Sequence, residues 1–150
     1  MATYSFLNCV AALVGPGGAI SIGSGAGVSD EGITLSPTND RDTQVIGADG
    51  SVMHTLNADK SGTLVVRLLK TSPTNAQLSL MFALQTVSSA LHGQNVITIR
   101  DSARGDVATA RQVAFKKLPV LSYTKAGAMQ EWEFNAGVVD VLLGSGTPAL

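Results

Sequence analysis

The spacing of hydrophobic and polar residues along the chain is mostly that of β-strands. Apolar residues occupy both parities over positions 1 to 14, which suits an extended strand covered on both faces. A long Gly-rich and polar stretch with one brief strand follows, over 19–42. Further strands are predicted over 43–47, 51–56, 63–70, 95–101, 107–115 and 129–143. Asp49-Gly50, between the first two of these, predicts a tight hairpin turn.

One segment changes to the helical period. Ser72 can act as an N-cap, Pro73 suits a first helical position, and a stop follows near Gly93. The positions that recur at helical spacing are Ala76, Leu80, Ala83, Leu84 and Val87. The pattern therefore predicts one helix over about 73–90.

The last strand carries a change of parity. Trp132 and Phe134 occupy even positions, whereas Val139 and Val141 occupy odd ones, so a bulge is expected at Gly137. Together these elements predict a mainly β fold, a β-sandwich or barrel of six to eight strands with one flanking helix, in a single domain spanning 1–150.

The charge content points to burial against other chains. Charged residues make up 14% of the sequence, against about 25% in an average soluble domain. No Asp, Glu, Lys or Arg occurs over 71–99, although frequent Ser, Thr, Asn and Gln residues argue against a membrane helix there. Such an uncharged segment is expected to be covered, most simply by copies of the same chain.

The remaining chemistry excludes several functions. A net charge of −1 does not fit a polybasic nucleic-acid binder. One cysteine, Cys9, and two histidines cannot supply a Cys/His zinc site or a disulfide framework, and they suit a reduced protein made inside a cell. No basic region precedes the apolar N-terminal residues, so no signal peptide is expected.

Short motifs in the chain lack the context that chemistry requires. Glycines at 15, 17 and 18 do not open a helix, no Gly-Lys-Ser/Thr occurs, and Asp40 and Asp42 lack the Gly and Glu of a calcium loop. Arg104-Gly105-Asp106 falls between two predicted strands, where a turn explains it. We therefore expect no catalytic, metal or cofactor-binding residue, no cofactor and no enzyme activity.

The ordered set of segments resembles the tail tube proteins of contractile-tailed bacteriophages over nearly the whole chain. The segments are Glu31-Gly32-Ile33-Thr34, Thr43 with Gly47-Ala48-Asp49-Gly50, Leu64 to Leu69, Thr71-Ser72-Pro73 with Asn75, Gly93-Gln94-Asn95-Val96, Arg100-Asp101 with Gly105-Asp106, and Glu131-Trp132 with Phe134 and Gly137. Type VI secretion tube proteins are similar in fold.

This resemblance implies a structural subunit of the virion. Six copies would form a ring, and stacked rings would form a tube that conducts DNA during ejection without binding it specifically. The implied partners are the chain itself, a tail sheath protein, and baseplate and tail terminator proteins, with assembly in the host bacterial cytoplasm and no membrane insertion. The alternatives are a secretion-system tube subunit and a β-sandwich binding module of a baseplate or fibre, although an aromatic content of 5% argues against the latter.

A long excursion over 28–56 is the first candidate contact surface. Ordering such a Gly-rich stretch is costly unless something packs on it, and a solvated loop is the alternative. The candidates for inter-subunit polar pairs are Asp30, Glu31, Asp40, Arg41 and Asp42.

The last strand provides the second candidate surface. Glu131, Glu133 and Asn135 share one parity and are expected to line the lumen, where carboxylates would repel DNA. The bases are expected elsewhere, with Lys116 and Lys117 on an outer surface that faces the sheath. A solvent-facing position for the polar strand face is the alternative.

Overall fold

The structure is a computed structural model that describes residues 4–23, 28–127 and 129–144, and in 28–31 the backbone alone. The elements in chain order are a short 3₁₀ helix (Phe6–Asn8), β1 (Cys9–Gly15), β2 (Gly18–Ser21), β3 (Val28–Pro37), β4 (Asp42–Ile46), β5 (Val52–Leu56), β6 (Gly62–Leu69), α1 (Thr74–Gln85), β7 (Asn95–Asp101), β8 (Asp106–Lys117) and β9 (Met129–Leu142).

Seven of these strands form one antiparallel sheet in the order β2-β1-β7-β8-β9-β6-β3, and β4 pairs with β5 in a separate hairpin. The sheet is not closed, because β2 and β3 are its two edges, so the fold is a sandwich and not a barrel. The predicted mainly β class with one helix is confirmed. The described residues hold nine strands, against the six to eight expected.

A single core joins both halves of the sheet to the helix. Leu13 of β1, Leu64 of β6 and Phe134 of β9 are fully buried in the same cluster as Leu78 of α1. Phe115 lies at its centre, where its ring packs edge-on and tilted against neighbouring aromatic rings at centroid distances of 4.8–6.0 Å. Burial of these side chains supplies most of the favourable free energy of the fold.

The two longest strands bend together. In β9 the residues that face the core have even numbers up to Ala136 and an odd number at Val139, which is the change of parity that the sequence predicts around Gly137. In β8 the same change of parity occurs between Ala110 and Val113. The bulge lies in β8 and not in β9: the register of β8 against β7 shifts, while its register against β9 stays continuous at this level. Gln112, the residue at the bend, has a φ of 54°.

Gly137 is required at this bend for a steric reason. A Cβ atom at Gly137 would lie 2.8 Å from Oε1 and 3.0 Å from Cβ of Gln112 on the adjacent strand. Only a residue without a side chain lets the two strands turn at the same level.

The helix is shorter than predicted and buries a different face. It spans Thr74–Gln85 with Pro73 as the N-cap residue, while the Ser72 hydroxyl accepts a hydrogen bond from the backbone N–H of Thr74 at 3.3 Å. It buries Thr74, Leu78, Met81 and Gln85. Leu80, one of the positions whose spacing predicts the helix, is 74% exposed.

Candidate assembly surfaces

The β4–β5 hairpin (42–56) lies outside the core. The predicted turn is confirmed: Gly50 has a φ of 87°, and the N–H of Gly47 donates to the Ser51 carbonyl at 2.7 Å. Every residue in both strands is exposed, including Val45 at 51% and Met53 at 59%. The hairpin therefore presents apolar side chains that no described part of the subunit covers.

Polar contacts fix the root of the hairpin. The N–H of Asn57 donates to the Arg41 carbonyl at 2.8 Å, and its side-chain amide donates to the Asp40 carbonyl and the Thr43 hydroxyl, both at 3.0 Å. These hydrogen bonds join the chain segment that enters the hairpin to the segment that leaves it. The base of the hairpin is therefore fixed, while its strands stay exposed.

Asp59 completes this root. Its carboxylate accepts hydrogen bonds from the backbone N–H of Ser61 at 2.8 Å and from the side-chain amide of Asn39. Hydrogen bonds from Ser61 and Asn39, with a smaller contribution from the charge of Arg41, lower the pKa of Asp59 to about 2. The carboxylate is therefore ionised at every pH at which the protein is normally handled.

Of the five predicted inter-subunit residues, Asp40, Arg41 and Asp42 are exposed, and two of these three side chains have partners within the subunit. Arg41 donates to the Asp59 carbonyl at 3.3 Å, and the Asp42 carboxylate lies 3.1 Å from Nδ1 of His54 across the hairpin. Asp40 is exposed at the start of the hairpin. The backbone of Asp30 and Glu31 lies in β3, while their side chains fall outside the described residues.

The polar face of the sheet is formed by outward side chains of three adjacent strands. In β9, Glu131, Glu133 and Asn135 point away from the core side of Trp132 and Phe134. The polar face comprises these three residues together with Thr63 and Arg67 of β6 and Lys116 of β8.

The acidic side chains of this face are paired with basic ones. Glu131 Oε2 lies 3.7 Å from Arg67 Nε, and Glu133 Oε2 lies 3.4 Å from Lys116 Nζ. Lys116 and Glu133 therefore share one face of the sheet, so the lumen position predicted for Glu133 and the sheath-facing position predicted for Lys116 cannot both hold. Lys117, one residue beyond an irregularity in the β8–β9 register, is exposed beside Glu133.

Exposed apolar side chains lie on the helix and on the loop between β8 and β9. Leu80 and Leu84 of α1 are 74% and 44% exposed, and Leu121 of the loop is 67% exposed. Lys70 holds the loop, since its Nζ lies 3.7 Å from the ring centroid of Tyr123 and donates to the Ser122 carbonyl. Exposed apolar surface of this kind marks an interaction site on a soluble subunit.

The structure also explains the motif between β7 and β8. Arg104 is only 18% exposed, and its Nε lies 3.7 Å from Oδ2 of Asp101. Gly105 has a φ of 82°, so the motif is a turn, as the sequence predicts. In the described part of the chain, no three His, Cys, Asp or Glu side chains are grouped so as to hold a metal ion.

The described helices include none that is long and apolar enough to cross a membrane. Cys9 is partly buried, and burial, together with the nearby charge of Asp101, raises the pKa of its thiol. The thiol is thus protonated and weakly nucleophilic at neutral pH.

Chains of solved contractile injection systems and of a particle tail share this fold. A protein in the tail of an empty GTA particle, determined with C6 symmetry, shares 11% identity and a TM-score of 0.62 over 95% of this chain and 100% of that one. A chain of the PVC sheath-tube complex shares 13% identity and a TM-score of 0.59 over 94% and 92%. The anti-feeding prophage cap shares 12% identity and a TM-score of 0.57 over 96% and 95%.

The sequence itself places the chain more narrowly. Residues 1–144 match the model of the bacteriophage PhiTE tail tube protein family, and the chain belongs to that family. It is a phage tail tube protein, a structural component of the tail. Among curated protein sequences, no significant match was found.

Proposed function

We propose that this chain forms hexameric rings that stack into a tube whose lumen conducts DNA during ejection. The family membership and the sixfold symmetry of the GTA tail, whose protein shares the fold, support this arrangement. The single observation that carries the proposal is the hairpin, because a two-stranded hairpin with both faces exposed is marginally stable on its own and needs a cover.

The cover is a neighbouring copy of the chain. A contact in which different surfaces of two copies meet repeats along an axis and builds an open stack from one kind of subunit. Val45, Ile46 and Met53 provide the apolar part of such a contact, and Asp40, Arg41 and Asp42, with Asp30 and Glu31, provide polar pairs at its rim. The exposed helix face supplies further apolar surface within or between rings.

The remaining surfaces are assigned by the same logic. The polar face, with Glu131, Glu133 and Asn135, lines the lumen, and a sheath protein packs on the outside of the tube. Baseplate and tail terminator proteins cap the two ends, and the tail is assembled in the host cytoplasm. The neighbours found in sheath-tube, terminator and baseplate complexes are in keeping with these partners.

Negative-stain electron microscopy of the purified chain tests the proposal directly. We expect rings or tubes for the wild type, and dispersed subunits for a Val45→Asp/Met53→Asp variant. Both positions are exposed in the subunit, so its unfolding free energy should change by less than about 0.5 kcal/mol for each. An unpaired charge desolvated in a contact costs several kcal/mol, which is enough to prevent assembly.

Ala126→Asp is the matched control for the single Met53→Asp variant, because each introduces one negative charge and Ala126 occupies an exposed loop position away from the hairpin. Tubes of normal appearance from the hairpin variant would rule out the contact role of the hairpin. Monomers of the wild type at high concentration, measured by mass in solution, would rule out self-assembly.

A further inference from the structure

Each of the three carboxylates of β9 is paired with a base from another element. Glu131 lies 3.7 Å from Arg67 of β6, and Glu133 lies 3.4 Å from Lys116 of β8. Farther along the strand, Asp140 lies 2.8 Å from Arg111 of β8 and 3.8 Å from Lys60. The pairing follows the strand over more than half of its length and does not depend on a single favourable pair.

One side chain of each pair on the polar face is largely buried, and the other is about half exposed. The Arg67 and Glu133 side chains are 19% and 20% exposed, whereas those of their partners Glu131 and Lys116 are 51% and 47% exposed. Arg67 also donates to the Thr34 hydroxyl of β3 at 3.1 Å, so its guanidinium is bound from both flanking strands. These side chains are held in place, and a passing polyanion would meet them in their paired state.

The pairing of these charges affects how strongly the polar face would bind DNA. Each Lys or Arg that neutralises a phosphate releases counterions and adds affinity. A base that already has a carboxylate within 4 Å on the same rigid face gains much less from a phosphate, because it would have to give up its partner. The bases of the polar face nevertheless stabilise it, since opposite-charge pairs across adjacent strands favour the register.

We propose that Glu131 and Glu133 are built-in counterions for Arg67 and Lys116, so that the wall past which DNA moves is charge-compensated and not acidic. This inference rests on the proposed role of the polar face as the lumen wall. It differs from a repulsive lining in one consequence. If the carboxylates compensate the bases, removing both carboxylates increases DNA retention only while Arg67 and Lys116 are present. If the carboxylates act by repelling DNA, removing them increases DNA retention whether or not the two bases are present.

A series of three tube preparations separates the two mechanisms. The first is the wild type, the second is Glu131→Gln/Glu133→Gln, and the third also carries Arg67→Gln and Lys116→Gln. Each preparation is assembled with short fluorescent double-stranded DNA, examined by negative stain to verify tubes, and sedimented at a series of salt concentrations to measure the DNA retained.

We expect DNA retention only in the second preparation, in which the β9 carboxylates paired with Arg67 and Lys116 have lost their charge. Where two bases of a subunit engage phosphates, retention should weaken about 60-fold for a tenfold increase in salt, from a slope of about −0.9 for each neutralised phosphate. Equal retention in the second and third preparations would overturn compensation in favour of repulsion. Wild-type levels in the second preparation, or strong retention by the wild type, would also overturn it.

The orientation of the polar face is measured separately. Asn135→Cys in a Cys9→Ser background is treated, as free subunit and as assembled tube, with a small maleimide and with a maleimide on a large polymer. A lumen position predicts that assembly blocks the large reagent while the small one still reacts. Equal reaction of assembled tubes with both would place the face outside and overturn the inference, whereas failure of the wild type to form tubes would instead contradict the proposed function.

Discussion

A buried pair of amides joins the helix to the sheet. Gln85 of α1 and Asn95 of β7 are 1% and 0% exposed, and each donates to the side-chain carbonyl of the other at 2.7 Å. Gln85 also donates to the Pro16 carbonyl at 2.9 Å, in the turn between β1 and β2. The helix, β7 and the turn between β1 and β2 thus meet at one hydrogen-bonded polar site.

Replacing Gln85 by Met retains the length of the side chain and removes its polar atoms. The carbonyl and amide groups of Asn95 then lose their partners in a site without water access, at about 1–3 kcal/mol each. We therefore expect Gln85→Met to lower the unfolding free energy by about 3 kcal/mol, a large part of the 5–15 kcal/mol that is usual for a domain. Adding Asn95→Leu, of similar shape, should restore about 2 kcal/mol, because no unpaired amide remains.

Urea unfolding of the unassembled subunit, followed by the fluorescence of Trp132, measures both effects as shifts of the midpoint at constant slope. Gln77→Met is the matched control, since Gln77 is an exposed position of the same helix, and its effect should stay within about 0.5 kcal/mol. Single and double variants whose free energies simply add would refute the argument, because additivity would mean that the two amides do not depend on each other.

Three further predictions concern stability. Gly62→Ala would place a Cβ atom 2.7 Å from Cγ2 of Val139, so we expect a loss of about 1–3 kcal/mol, seen as a lower Tm; an unchanged Tm would contradict this. The pKa of Asp59 is lowered to about 2 from its ordinary value of 3.8, so its ionised form stabilises the fold above about pH 4 and loses this effect as the pH falls through about 2. Asp59→Asn should remove that part of the acid dependence, and an identical acid profile would argue against it. Trp132→Phe removes the indole N–H that donates to Asn75 at 3.0 Å and leaves space at a buried position, which together should cost at least about 1 kcal/mol in urea unfolding followed by circular dichroism; no shift would contradict this.

Local signals predicted the elements better than their packing. The Asp49-Gly50 turn, the single helix and the parity change at Gly137 all depend on backbone rules that act over a few residues, and the structure has each of them. The strand β2 was missed because it is four residues long and buries only Ile20.

The buried face of the helix could not be predicted from its spacing. Its apolar residues surround the axis, so period alone does not distinguish the stripe of Leu78 and Met81 from that of Leu80 and Leu84. The choice depends on Asn95, ten positions beyond Gln85, which makes burial of the glutamine favourable. Such a long-range polar match leaves no periodic signal.

The pairing of Lys116 with Glu133 could not be predicted for a similar reason. Alternation assigns a side chain to one face of its own strand, but it does not identify the residues opposite on the neighbouring strand. The irregularity in the β8–β9 register between Phe115 and Lys117 brings Lys116 beside Glu133. A count along the chain cannot detect an irregularity that arises from the pairing of two strands.

The uncovered hairpin has a kinetic consequence for the proposed tube. A lone subunit has no partner that orders its hairpin, and two subunits that meet cover only one of two hairpins. A subunit that joins an existing ring stack both covers a waiting hairpin and has neighbours for its own surfaces, so growth from a formed end is favoured over initiation. Polymerisation should therefore show a lag, a threshold concentration and acceleration by added seeds, and a cell could hold a pool of free subunits until a starting surface is present.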